Sequence, residues 1–183
     1  MVELVSLGVL YGDKRTGKAL KKLNPDIVTV EMSNKYWKEL SEKGFSSNFA
    51  EVSECINYCR VKEIPLFFID KPISKVKISK NIEKMKNFDK KQGLKTREIY
   101  SFFENLYDKY SSESEKVLDN SKDFKSRTRY MSDKLEKILS KNKSFRIVHV
   151  GGAGHFLKLR NIETLFSVMK KHRLQRFLIS QLI

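Results

Sequence analysis

The sequence predicts an α/β layered domain with a mainly parallel central sheet flanked by helices. Two observations predict it. Apolar runs with few polar interruptions recur along the chain, as in "LVSLGVL", "DIVTV" and "IPLFFI", and such runs read as strands buried on both faces. Amphipathic segments of helical period separate them, and strands alternating with helices build layered sheets.

The elements follow in order. Residues 2 to 10 form the first strand. "RTGKALKKL" is a short helix stopped by Asn24-Pro25. "DIVTV" is the second strand and ends at Glu31. "SNKYWKELSEKG" is a helix with Ser33 as N-cap and Gly44 as stop. "SSNFAEVSECINYCRVKEI" is another, with Phe49, Val52, Ile56 and Cys59 on one face. "IPLFFI" is the third strand and ends at Asp70.

The pattern then weakens. Residues 71 to 95 are basic, with alternating Ile73, Val76 and Ile78, and take no secure element; a loop over a site is one reading. "TREIYSFFENLYDKY" is amphipathic. The stretch from Ser112 to Asn142 reads as one long helix or two, with an interruption at Asn120 and Ser121. "SFRIVHV" is the fourth strand, followed at once by "GGAGHF". "NIETLFSVMKKH" reads as a helix and "RFLISQLI" as a terminal strand, whose apolar edge could serve a homodimer.

Composition narrows the class. At 183 residues the chain fits one domain, residues 1 to 183. Apolar content of 40% with 32% charged residues excludes an intrinsically disordered chain. No apolar run approaches the roughly 20 residues that span a bilayer. Glu3 interrupts the opening run, and no basic segment or small-residue cleavage site accompanies it, so a strand is expected there and not a signal peptide. Cys55 and Cys59 sit one helical turn apart, a spacing for two free thiols and not for a disulfide. The expected compartment is the cytoplasm.

The formal charge is +15, mostly from lysine, and much of it lies between Lys71 and Lys95. Such a segment attracts polyanions by counterion release. It lacks the interleaved aromatics of a base-stacking platform. A solvated lysine face is therefore the first reading, and association with nucleic acid or an acidic ligand the second.

In a parallel sheet, ligands bind outside the carboxyl ends of the strands. The polar residues just past the strands are Tyr11, Asp13, Glu31 and Asp70, with His155 beyond the Gly-rich turn. This set suits either a hard-to-borderline metal site or a general acid/base pair. A competing motif runs from Gly12 to Lys18, G-x-x-x-x-G-K, most of a phosphate-binding loop. Ala19 removes the hydroxyl that would hold Mg²⁺, and the helix ends after about two turns. His149 falls inside a strand and reads as a satisfied core or face histidine, and His172, near a helix end, as a solvated or dipole-stabilising residue.

Five segments in order, "LVSLGVLYGD", "NPDIVTVEMS", "IPLFFIDKPIS", "SRTRYM" and "VHVGGAGHF", resemble the TraB/PrgY/TIKI superfamily. The resemblance implies a fold like that of erythromycin esterase and ChaN-like proteins, with the site at the strand ends. It also implies a divalent-metal-dependent peptidase, favouring Mn²⁺ or Co²⁺, that acts on a peptide or small-molecule substrate. By motif, Glu31 takes the family's glutamate, Arg127 its arginine, and His155 the histidine of its second G-x-x-H. Glu31, Arg127 and His155 are then the expected catalytic residues, and Glu31 and His155 the expected metal ligands. The first motif departs, because Gly8-Val9-Leu10-Tyr11 carries a phenol where the family has imidazole. A tyrosine ligates best as phenolate, and its ordinary pKa of about 10 opposes that at neutral pH. Tyr11, Asp13 and Asp70 are the further candidate ligands. Three outcomes stay open: a metal-dependent hydrolase, a non-catalytic protein of the same fold that binds a peptide or anionic ligand, or a basic protein that associates with nucleic acid.

Overall fold

The computed structural model of the chain describes residues 3–10, 12–42, 49–72, 96–107, 122–157, 163–172 and 174–183. Five strands form one parallel sheet: β1 (Glu3–Val9), β2 (Ile27–Val30), β3 (Leu66–Phe68), β4 (Arg146–Gly152) and β5 (Gln175–Leu178). Their spatial order is β3-β2-β4-β1-β5. The expected mainly parallel layered sheet is what the chain forms. Val5 pairs with Val148 in β4, which in turn faces Val28 of β2, so three apolar strands make the centre. All four residues of β2, and Leu4 to Val9 of β1, are buried, as expected of mostly apolar strands covered on both faces.

The helices are α1 (Thr16–Leu23), α2 (Asn34–Glu42), α3 (Ala50–Lys62), α4 (Thr96–Tyr107), α5 (Lys122–Lys141), α6 (Leu165–Val168) and α7 (Ile179–Leu182). α1 stops where expected: Asn24 adopts the left-handed conformation (φ 46°) and returns its N–H to Leu20. Ser33 caps α2, its Oγ accepting from the Tyr36 N–H at 3.2 Å. Cys55 and Cys59 are buried free thiols, as their spacing implied. No helix among the described residues is long and apolar enough to cross a membrane.

Two expectations need correction. The terminal strand "RFLISQLI" ends at Leu178, where the Gln181 side chain accepts the Leu178 N–H at 2.8 Å and starts α7. The helix expected over "NIETLFSVMKKH" shortens to Leu165–Val168, because Thr164 and Ser167 cap each other reciprocally and fix its start. A separate 3₁₀ turn, Lys170–His172, follows it. Most of the lysine-rich stretch, residues 73 to 95, lies outside the described residues, as do Gly44 and the Asn120-Ser121 interruption.

Topology positions the site. The connections after β1 and β2 run toward the β3 edge, and those after β3 and β4 run toward the β5 edge. Right-handed crossovers put the first group on one face and the second on the other. Accordingly α1 packs on α3 and α7, while α5 packs on α6 and α4 on β5. Between β2 and β4 the chain departs in opposite directions, and a small cavity lies there at the strand ends.

Candidate active site at the ends of β2 and β4

Glu31 is the first residue past β2, and its backbone N–H still bonds Val150 of β4 at 2.9 Å. Its side chain is 4% exposed and is met by three donors. Arg127 Nη2 donates to Oε1 at 2.7 Å, His155 Nε2 lies 3.0 Å from the same oxygen, and the Gly152 N–H donates to Oε2 at 2.8 Å. Burial alone would raise this carboxyl. The charges of His155 and Arg127 and the Gly152 N–H outweigh burial and hold it well below the usual carboxylate range.

Arg127 reaches the site from α5. It grips Asp70, just past β3, with Nε at 3.1 Å and Nη2 at 2.6 Å. This two-point contact needs the planar guanidinium fork. Burial nonetheless outweighs Arg127, and with the added charge of Glu31 it pushes the Asp70 carboxyl up. His155 stands on the 3₁₀ turn Ala153–Phe156 and stacks on Phe124 of α5, ring centroids 4.5 Å apart and 13° from parallel. Its Nδ1 is buried and has no hydrogen-bond partner among the described residues.

Asp13 does not join this cluster. It closes its own turn, accepting from the Arg15 backbone and guanidinium at 2.7 to 3.0 Å and from the Tyr100 hydroxyl at 2.6 Å. Burial opposes ionisation, yet these donors hold its carboxyl below its ordinary value. Tyr100 also takes the Leu10 N–H at 2.8 Å, so the end of β1 is anchored to α4. Tyr11 lies outside the described residues.

Two residues of the site escaped the sequence reading. His149 is fully buried in β4, its Nδ1 2.9 Å from Thr29 Oγ1, but its Nε2 finds no partner among the described residues. Burial pushes this imidazole down to about 4, so it is neutral at physiological pH. Glu51 of α3, 4% exposed, turns inward and accepts the Gly12 N–H at 2.7 Å. Gly12 has φ 79°, a left-handed turn that glycine alone adopts without strain and that presents this N–H to α3. Burial raises the Glu51 carboxyl to about 7, with the charges of Asp13 and Glu31 adding to it. The signal available in sequence was an acid within an apolar helical stretch.

The glycines after β4 are placed for contact. A Cβ on Gly151 would fall 2.8 Å from Glu31 Oε2 and 3.1 Å from His149 Nε2, so only a bare backbone fits between them.

The described residues do not by themselves fit a divalent ion. Such a centre ordinarily takes at least three protein donors. Glu31 and His155 converge, but each Glu31 oxygen already accepts from the protein, and a guanidinium beside the ligand oxygen repels a second cation. The oxygens of Asp13 and Asp70 are closed by arginines. Among the described residues no group of three or more His, Cys, Asp or Glu is placed to hold a metal. What the cluster can supply is an ionised carboxylate fixing an imidazole, with a second, protonatable carboxyl nearby. Comparison with protein-family models, with curated proteins and with solved structures finds no match for this chain.

Proposed function

We propose that the chain is a hydrolase of the TraB/PrgY/TIKI type, cleaving a peptide or small carbonyl substrate at the strand ends between β2 and β4. One observation carries the reading. Glu31, Arg127 and His155, the residues that match the family's motifs, meet on a single carboxylate oxygen although Arg127 and Glu31 are 96 positions apart. Glu31, held as carboxylate, takes the Nε2–H of His155 and fixes the imidazole at the strand ends, where it orients the substrate and the attacking water. Arg127 keeps Glu31 ionised and in place. The free thiols of Cys55 and Cys59 suit a reducing compartment, and the cytoplasm is the proposed location.

The test is turnover of a fluorogenic peptide library and p-nitrophenyl acetate by the full chain, with chelator, with Mn²⁺ and with Co²⁺. Wild type is expected to turn over in chelator, with a loss of about 100-fold or more in Glu31→Gln and His155→Ala. Turnover that requires Mn²⁺ or Co²⁺, with stoichiometric uptake lost in Glu31→Gln, would assign the metal-dependent form of the same hydrolase. No turnover under any condition overturns the reading.

One observation favours a second reading, a non-catalytic protein of this fold that binds an anionic ligand. The cavity beside Glu31 is about 10 Å³, room for about one water. Binding of an acidic peptide by a chain of charge +15, with no turnover, is its expected result.

A further inference from the structure

We propose that Glu51 is the second carboxyl of this centre, the group that takes a proton from a single water held between it and Glu31 and delivers that proton to the leaving atom. The inference rests on the hydrolase reading and assigns it a residue that no motif supplied.

Geometry carries it. The cavity at the strand ends is walled by the apolar ends of β1, β2 and β4, by Val52 and by the Gly151-Gly152 backbone. Its polar side chains are Glu31 and Glu51, facing one space of about 10 Å³ that accommodates about one water. A glutamate in the first turn of a helix ordinarily points to solvent. Glu51 is instead 4% exposed and held inward by the Gly12 N–H. One oxygen, Oε2, is thereby committed to the turn after β1.

The environments of the two carboxyls diverge. Glu31 is surrounded by Arg127, His155 and the Gly152 N–H, which favour the anion. Burial dominates at Glu51, against the Gly12 N–H, and the charges of Asp13 from the β1–α1 turn and Glu31 from the end of β2 add to it. Cys55 of the same helix is a thiol raised by burial and by the charge of Glu51. Two carboxyls whose surroundings push them apart take different roles: Glu31 stays ionised and fixes His155, and Glu51 carries the proton.

The step balances without a further reactant. As carboxylate, Glu51 accepts a proton from the water while the water oxygen bonds to the substrate carbonyl carbon. As carboxylic acid, it then gives that proton to the leaving nitrogen or oxygen as the bond from carbon breaks. The products are a carboxylic acid and an amine or alcohol, and Glu51 returns to carboxylate.

The experiment uses the full chain and the fluorogenic peptide library, with Glu51→Gln and Glu51→Asp beside wild type. Activity is followed from pH 5 to 9, and the carboxyl infrared band of ¹³C-glutamate-labelled protein is titrated in parallel. Wild-type kcat is expected to rise through about pH 7, as an infrared band absent from Glu51→Gln titrates in step. Glu51→Gln should lose about 100-fold in kcat and lose this limb. Glu51→Asp should keep the limb with a displaced midpoint, which a merely structural role would not produce. An active Glu51→Gln with the wild-type profile, or a Glu51 band titrating in the ordinary carboxylate range, overturns the proposal and leaves the hydrolase reading standing. A wild type that cleaves nothing overturns both.

Discussion

Arg127 Nη2 donates to Glu31 at 2.7 Å and to Asp70 at 2.6 Å, and so ties the end of β2 to the end of β3 with one buried guanidinium. The three side chains are 12%, 4% and 5% exposed. Removing the cation strands two carboxylates out of water, and breaking a buried pair this way costs about 3–5 kcal/mol. Arg127→Ala is expected to lose that much in urea unfolding. Arg127→Lys keeps the charge but not the fork, and should recover only part of it. A loss below about 1 kcal/mol in Arg127→Ala would show that the network contributes nothing to the fold.

Gly151 and Gly152 are adjacent yet predict opposite outcomes. Alanine at Gly151 meets Glu31 Oε2 at 2.8 Å and His149 Nε2 at 3.1 Å. Something rigid must move, and such overpacking costs about 1–3 kcal/mol. Alanine at Gly152 meets Glu31 Oε2 at 3.6 Å and His155 Cδ2 at 3.9 Å, ordinary contacts. Thermal unfolding should separate the pair, with Gly151→Ala falling well below Gly152→Ala. Equal melting temperatures would contradict the crowding.

Glu51 makes stability fall as pH rises. Its carboxyl is raised to about 7 in the folded chain, while the unfolded chain ionises near 4.5. Below about 4.5 both states hold the proton and folding loses nothing. Between there and about 7 the folded state holds more protons, so each step upward in pH disfavours it. The full effect is on the order of 3 kcal/mol. Glu51→Gln should remove this slope, gaining on wild type at pH 8 relative to pH 4. An unchanged slope in urea midpoints across that range would refute it.

His149 works in the opposite sense. Its folded value of about 4 lies below the ordinary 6.5, so stability is intact above 6.5 and declines as pH falls toward 4. The two slopes oppose each other in wild type, and the variants are needed to see either. Nitrogen-15 spectra should show one neutral imidazole that does not titrate between pH 5 and 8, and His149→Gln should remove its signal. A titration near 6.5 would mean that the ring is wet.

The central strands were legible because burial on both faces demands mostly apolar runs, which β1, β2 and β4 supply with one buried polar residue each, Ser6, Thr29 and His149. The carboxyl-end rule then led to Glu31, Asp70 and His155. Asp13 stands apart from them because Arg15, two residues on, and Tyr100 take its carboxylate. Glu51 was missed for a different reason. The apolar stripe of α3 was read from Phe49, Val52, Ile56 and Cys59, yet Glu51, Cys55 and Tyr58 on other sides are buried as well. A helix covered on more than one side loses the contrast that marks an inward acid. His149 read as satisfied because sequence gives no count of the partners each ring nitrogen finds.

The position of β4 has a consequence for biosynthesis. It lies between β1 and β2 although it is fourth in the chain. Those two strands cannot pair with their shared neighbour until residue 152 has been made. A nascent chain stopped before Arg146 therefore holds two apolar strands with open edges, the state most prone to wrong pairing. Pairing at the centre of the sheet waits on β4, and two groups that contact Glu31, the Gly152 N–H and His155, arrive at the end of that strand and in the turn after it.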